Sequence, residues 1–167
     1  LEMTESLLNL VRDGYSAPSL SLIKSKENIA GIKKSSKLTR KILDYLETYI
    51  KPGITTNQIN EVVHNMTIDG GAVPAPLNYR GFPKSICTSI NEVVCHGIPS
   101  DRELKEGDII NVDVTCNLDG YYGDSCRMYD VGKVSDSAKQ LSLYTKECLD
   151  LGIRVVKPLA TTNDIGN

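Results

Sequence analysis

Two strand-like runs flank an Asp-Gly pair, and this pattern constrains the fold of the chain more than any other. The first run is Ile109 to Leu118, and the second begins at Tyr121. An Asp-Gly pair between apolar, β-branched runs is a strong hairpin signal. If Asp119-Gly120 is a two-residue turn, Leu118 faces Tyr121, and the numbers of all facing residues sum to 239. The sequence therefore predicts an antiparallel hairpin with a fixed register.

Each predicted strand carries an aspartate, although aspartate disfavours strand interiors. In this register Asp113 faces Cys126, and Asp124 lies two positions from Cys126 on the same strand. The two carboxylates become diagonal neighbours on one face, roughly 7–8 Å apart at the backbone. Because unpaired buried ions cost several kcal/mol each, a divalent cation held by both carboxylates is the simplest remedy. The alternative is that one or both aspartates lie on the open, solvated face of the sheet.

Two helices are predicted before the hairpin. A cap near Ser25 and apolar residues at near-helical spacing indicate a helix that runs to about Tyr49 and ends at Lys51-Pro52-Gly53. A capping box formed by Thr55 and Gln58 starts the second helix. The apolar positions on which the two helices depend are Ile29, Ile32, Ile42, Leu43, Leu46 and Ile50, then Ile59, Val62, Val63 and Met66.

The stop and cap between these helices occur twice in the chain. The segment from Lys51 to Ile59 recurs from Lys157 to Ile165, 106 positions later. Residues of the preceding helices align at the same offset: Thr39 with Thr145, Leu43 with Leu149, and Asp44 with Asp150. The pattern predicts a duplicated unit of helix, stop, capped helix and strands. A chance recurrence of a common stop-and-cap pattern is the alternative.

Composition is typical of a reduced, intracellular globular protein. The chain has 167 residues and a net charge of −2, which argues against a nucleic-acid-binding surface. Five cysteines, without a Cys-x-x-Cys pair, suggest neither a disulfide framework nor a zinc ribbon. No apolar run approaches the about 20 residues that span a bilayer, and no signal peptide is evident. We therefore expect a cytoplasmic protein without membrane partners.

Four ordered motifs resemble those of the type I methionine aminopeptidases of bacterial type. They run from Asn78 to Ser89, from Asn91 to Pro99, from Gly107 to Thr115 and from Asp119 to Asp124. Their order and spacing match the family, and the resemblance extends from about Ser25 to Asn167.

The resemblance implies an α+β fold, the pita-bread fold, in which two αβ halves are related by a pseudo-two-fold axis with metals between them. The first half would be complete in this chain and the second only begun. Residues 25–167 would belong to the catalytic domain. Residues 1–24, with a short helix between Leu1 and Tyr15, would be a natural extension or a remnant of cloning.

The family's metal site implies roles for the two hairpin aspartates. Asp113 would chelate one divalent ion and Asp124 would bridge two, whose identity (cobalt, manganese, iron or zinc) the sequence leaves open. A histidine and two glutamates, one of them the general base, would lie beyond Asn167. The 167 residues alone are therefore expected to be inactive. Thr115 and Asn111 share strand parity with Asp113, so they are candidates for orienting the carboxylates.

The resemblance also implies substrate-binding residues. His96, expected at a strand end, would hydrogen-bond the scissile amide or the tetrahedral intermediate as a catalytic group. Tyr79, Phe82 and Cys87 would line the pocket for the methionine side chain, since a thioether packs well on aromatic edges and sulfur. The simpler alternatives are a structural histidine and three ordinary core residues. His64 lies outside every motif and is expected to pack against a neighbour or lie at the surface.

The implied activity is metal-assisted hydrolysis that removes the amino-terminal methionine from nascent proteins. The partners would be nascent polypeptide amino termini, with the ribosome as a candidate place of action, and the complete enzyme would be a monomer. Two other classes stay open: a non-catalytic pita-bread module that binds peptides, and a proline-directed aminopeptidase or prolidase.

Overall fold

Helices precede and follow an antiparallel sheet along the chain. The computed structural model describes residues 5–166. The helices are α1 (Glu5–Arg12), α2 (Lys26–Tyr49), α3 (Thr56–Asp69), α4 (Asp136–Val155) and α5 (Asn163–Gly166), with 3-10 turns at Leu20–Leu22 and Tyr79–Gly81. The strands are β1 (Val73–Pro74), β2 (Cys87–Ile90), β3 (Ile109–Leu118) and β4 (Tyr121–Asp130). The predicted helix between Leu1 and Tyr15 is α1, and its first four positions lie outside the described residues.

The predicted hairpin is confirmed in position and register. Strands β3 and β4 pair antiparallel, with Leu118 facing Tyr121 and Asp113 facing Cys126. Asp119 has φ of 54° in the turn, a conformation that aspartate, asparagine and glycine tolerate best. On its other side, β3 pairs with β1 and β2. The hairpin therefore forms the centre and one edge of the sheet.

The core lies on the helix-facing side of β3. Its buried side chains alternate with half-exposed ones along the strand, as expected when one face is covered. Helix α2 packs against β3 and β4, and its predicted core residues Ile42, Leu43 and Leu46 are at most 2% exposed. Burial of each such side chain contributes about 1.5–3 kcal/mol. The aspartate-bearing face is the opposite one.

Helix α2 lies directly against the backbone of the hairpin at Gly123. A Cβ atom at this position would lie 2.4 Å from the backbone nitrogen of Ser36, so only glycine fits. Two buried hydroxyls hold the contact: Ser35 Oγ donates to the Cys116 carbonyl at 2.8 Å, and Thr39 Oγ1 donates to the Gly123 carbonyl at 2.7 Å. The helix thus fixes the backbone next to Asp124.

The predicted capping box of α3 is confirmed. Thr55 N donates to Gln58 Oε1 at 2.9 Å, and Gln58 N donates to Thr55 Oγ1 at 3.1 Å. Residues 26–139 form one compact unit, and a second unit groups the segments that precede Lys26 and follow Lys139. Among the described residues, no helix combines the length and apolar character needed to cross a membrane.

Candidate metal centre

Asp113 and Asp124 lie on one face of the hairpin, as the register predicts. Asp113 is half-buried and Asp124 is exposed, so the pair occupies the open face of the sheet. Their carboxyl groups are nevertheless close enough to interact, because the charge of Asp124 raises the pKa of Asp113. Thr115, which faces Asp124 across the strands, donates its Oγ1 hydrogen to Asp124 Oδ1 at 2.8 Å. The two carboxylates are therefore neighbours on one face, and Asp124 has a hydrogen-bond donor on the facing strand.

The electrostatics of this pair favour a bound cation. Burial raises the pKa of Asp113, and the charge of Asp124 raises that pKa further, while the charge of His96 acts in the opposite direction. Two adjacent carboxyl groups resist simultaneous ionisation unless a positive charge lies between them.

Cys87 occupies the position beside Asp113 on the neighbouring strand. It faces Asp113 directly in the β2–β3 ladder, while Cys126 faces Asp113 from β4. Burial first, then the charges of Asp113, Cys95 and Asp124, raise the pKa of the Cys87 thiol to about 11. Cys87 is therefore a neutral thiol beside the carboxylates.

The prediction that His96 ends a strand is wrong. Strand β2 stops at Ile90, and His96 is exposed in the irregular loop that follows. Its φ of 56° is left-handed. That conformation costs a non-glycine residue about 1–3 kcal/mol and is enriched at functional sites. The β-branched Val93-Val94 pair suggested a strand, but the left-handed Asn91 (φ 51°) turns the chain away from β2 first.

Hydrogen bonds hold the His96 loop at both ends. Asn91 Oδ1 accepts from Ile109 N at 3.0 Å, which ties the loop to the start of β3. Beside His96, Gly97 O accepts from Thr88 N at 2.8 Å, and Gly97 N donates to Ser89 Oγ at 3.2 Å. A Cβ at Gly97 would lie 2.0 Å from the Thr88 carbonyl oxygen. The glycine therefore allows the loop to lie directly against β2.

Tyr79 and Phe82 lie at the 3-10 turn before β2. Tyr79 is 63% exposed, and the Arg80 guanidinium lies 5.4 Å from the centre of its ring. Phe82 follows the turn and, like Cys87, is half-buried. The alternative that all three are core residues is wrong for Tyr79, because its ring is largely free of the core.

The other residues singled out from the sequence have structural positions. His64 Nδ1 and Ser85 Oγ are 2.8 Å apart, so His64 packs α3 against the segment before β2, as expected. Asn111 lies on the carboxylate face, opposite Ser89 and Met128. Sequence reasoning missed the buried hydroxyls of Ser35 and Thr39. Their signal is a pair of small hydroxyl residues four apart on the apolar face of a helix.

The donor set matches part of a metal centre. Carboxylate oxygens suit divalent cations, and a pair that shares a face can contact two ions. Within residues 5–166, however, no group of three or more His, Cys, Asp or Glu side chains could hold a metal ion. The described residues therefore fit a divalent site to which Asp113 and Asp124 contribute two ligands.

Comparison with known proteins gives consistent results for most of the chain. Residues 30–167 match the model of metallopeptidase family M24. The methionine aminopeptidase of Rickettsia prowazekii is 50% identical over 144 residues, which cover 86% of this chain and 56% of that protein. The chain thus spans little more than half the length of this curated relative.

Solved structures show the same relationship at the level of the fold. The crystal structure of the Rickettsia prowazekii enzyme superimposes with a TM-score of 0.85 over 86% of this chain and 58% of its own, at 50% identity. The prolidase of Pyrococcus furiosus gives a TM-score of 0.73 over 94% of this chain and 43% of its own, at 20% identity. The α+β fold shared by these enzymes is the pita-bread fold predicted from the motifs.

Proposed function

Because the chain belongs to metallopeptidase family M24, we propose that the protein removes the amino-terminal methionine from nascent proteins. The observation that carries this proposal is the carboxylate pair Asp113 and Asp124 on one face of the hairpin. This pair occurs in a chain that is 50% identical, over 144 residues, to a methionine aminopeptidase. Family members are metal-dependent peptidases, and a divalent ion bound by this pair would polarise the scissile carbonyl and acidify a water.

Each site residue has one role in this proposal. Asp113 and Asp124 would be the residues of this chain that hold the divalent ions, and their shared face keeps both carboxylates in place before substrate arrives. His96 donates a hydrogen bond to the scissile amide or to the oxyanion that develops from its carbonyl, since a preorganised donor stabilises charge that appears in the transition state. A histidine and two glutamates outside these 167 residues complete the ligand set.

The substrate's methionine side chain is proposed to bind among Tyr79, Phe82 and Cys87. Phe82 and Cys87 are half-buried and the Tyr79 ring is exposed, so all three have apolar surface that does not pack into the core. The neutral thiol of Cys87 suits a thioether, because both are polarisable and uncharged. Its position facing Asp113 would place the side-chain pocket next to the metal ligands.

Several further features belong to the same proposal. Two divalent ions are proposed, with cobalt, manganese, iron and zinc as candidates. The protein is proposed to act in the cytoplasm as a monomer on nascent amino termini, with the ribosome as a candidate place of action. Residues 25–167 are assigned to the catalytic domain and residues 1–24 to an extension of it.

Two observations weigh against the alternatives. The likeness to prolidase, at 20% identity, concerns the fold alone, whereas the methionine aminopeptidase relative is 50% identical. A peptide-binding module without catalysis would have no need for the aspartate pair, the strained His96 and the neutral Cys87 in one place. Methionine-specific hydrolysis is therefore preferred.

The test is peptidase activity of the full-length protein on Met-Ala-Ser, with acetyl-Met-Ala-Ser and Ala-Pro-Ser as controls. We expect release of free methionine that a chelator abolishes and added Mn²⁺ or Co²⁺ restores, and no hydrolysis of the controls. The 167 residues alone should give background rates. Hydrolysis that survives exhaustive metal removal, or preference for a proline peptide, would contradict the proposal.

The pocket has its own test in the variant Cys87→Trp. An indole at this position should fill the methionine pocket and raise KM for Met-Ala-Ser much more than it changes metal content. Unchanged kinetics would mean that Cys87 does not contact the substrate.

A further inference from the structure

Thr115 is the side chain that holds Asp124 in place. The two residues face each other across β3 and β4, and Thr115 Oγ1 lies 2.8 Å from Asp124 Oδ1. A carboxylate only accepts hydrogen bonds, so the threonine hydroxyl is the donor. Asp124 is exposed, and little packing would otherwise restrict its side-chain rotamers.

The backbone that carries this pair is fixed from the opposite face of the sheet. Cys116 and Gly123 are the next facing pair toward the turn, and their carbonyls accept the buried hydroxyls of Ser35 and Thr39. Helix α2 thereby restrains both strands one position from Thr115 and Asp124. The hydrogen bond between Thr115 and Asp124 lies on one face of the sheet, and the two hydrogen bonds from α2 lie on the other. Both sets of bonds therefore restrain the same part of the β3–β4 pairing.

We propose that Thr115 is a positioning residue that presents Asp124 to the divalent ions. Its hydrogen bond restrains the Asp124 carboxylate and occupies part of Oδ1, so that the remaining lone pairs of the carboxylate would be available to a divalent ion. Partners of this kind around metal ligands are worth about 10–100-fold in metal affinity. This inference rests on the proposed metal-dependent function.

The test compares three variants of the full-length protein. Thr115→Val removes the hydroxyl and keeps the shape, and Thr115→Ser keeps the hydroxyl. Thr88→Val is the matched control, because Thr88 is on β2, 5% exposed, and its Oγ1 has no hydrogen-bond partner. Mn²⁺ affinity of the metal-free proteins is measured by calorimetry, together with their melting temperatures with and without Mn²⁺.

We expect Thr115→Val to weaken Mn²⁺ binding about 10–100-fold and to lose most of the metal-induced rise in Tm. Thr115→Ser and Thr88→Val should bind Mn²⁺ like the wild type. Wild-type affinity in Thr115→Val would overturn the positioning role and leave the proposed function intact. If Thr115→Val lowered only the metal-free Tm, the role would be structural and the proposal would again be wrong. Failure of the wild type to bind Mn²⁺ and each of the other three candidate ions would overturn both proposals.

Discussion

The helix–stop–helix unit occurs twice in this chain, and its two copies share their local structure in detail. Helix α2 ends at Tyr49 and α4 ends at Val155, 106 positions later. Thr55 N donates to Gln58 Oε1 at 2.9 Å, and Thr161 N donates to Asp164 Oδ2 at 2.7 Å at the same offset. The turns that follow α2 and α4 correspond as well. Ile54 N donates to Lys51 O in the first, and Ala160 N donates to Lys157 O in the second.

The copies differ in burial. Leu43 on α2 is 2% exposed, whereas Leu149, its counterpart on α4, is 55% exposed. Helix α4 has no buried residue, while α2 buries one face against β3 and β4. The positions at which the helices begin and end therefore follow from local sequence, which the two copies share. Whether the apolar face of a helix contributes to stability depends on packing against a sheet.

The largest expected effect concerns the buried leucine and its exposed counterpart. In the 167-residue chain, Leu43→Ala should lower the free energy of unfolding by about 2–5 kcal/mol, because it leaves a cavity under the hairpin. Leu149→Ala should change that free energy by no more than about 0.5 kcal/mol, as is usual for exposed positions. Urea unfolding followed by circular dichroism measures both values. Equal losses would mean that α4 is packed as firmly as α2.

The next effect concerns a glycine that α2 covers, Gly123, and a glycine on α4, Gly152. Gly123→Ala should destabilise the chain by about 1–3 kcal/mol, because its Cβ would collide with backbone of α2. Gly152→Ala on α4 would meet only the Ile165 side chain at 3.4 Å and should stabilise by up to about 1 kcal/mol, since alanine favours a helix. Thermal unfolding gives the two signs, and a tolerated Gly123→Ala would refute the close contact between helix and hairpin.

The smallest effect concerns the caps. Thr55→Ala should cost about 1 kcal/mol, because it leaves the Gln58 amide of α3 without its partner. Thr161→Ala should cost less than about 0.5 kcal/mol, because α5 has only four residues and supports little structure. Urea midpoints compare the two variants directly. A larger loss from Thr161→Ala would mean that the second copy is the more cooperative one.

Much of the fold could be predicted from local patterns. The Asp-Gly turn set the register of β3 and β4, and the capping box set the start of α3, because both patterns act through backbone hydrogen bonds of near neighbours in sequence. The placement of Asp113 and Asp124 on one face followed from strand parity alone. The proximity of Cys87 and His96 to them required the family resemblance, since the pairing of β2 with β3 joins segments distant in sequence.

The rest depended on contacts that local patterns do not encode. His96 was expected at a strand end, but the left-handed Asn91 and the close approach of Gly97 to β2 form a loop instead. The donors Ser35 and Thr39 look like ordinary polar residues in the sequence, and only the packing of α2 on Gly123 gives them partners. The exposed ring of Tyr79 likewise follows from a tight turn rather than from its aromatic character.

The proposed function requires that Asp113 and Asp124 bind metal. The most direct measurement is the metal content, by elemental analysis, of the dialysed full-length protein and of Asp113→Asn, Asp124→Asn and Asp119→Asn. Asp119 lies in the turn of the same hairpin and pairs with the exposed Lys34, so it is a matched control. We predict that the wild type and Asp119→Asn retain divalent metal and that the other two lose it. Retention of metal in either Asp113→Asn or Asp124→Asn would contradict the assignment of that residue.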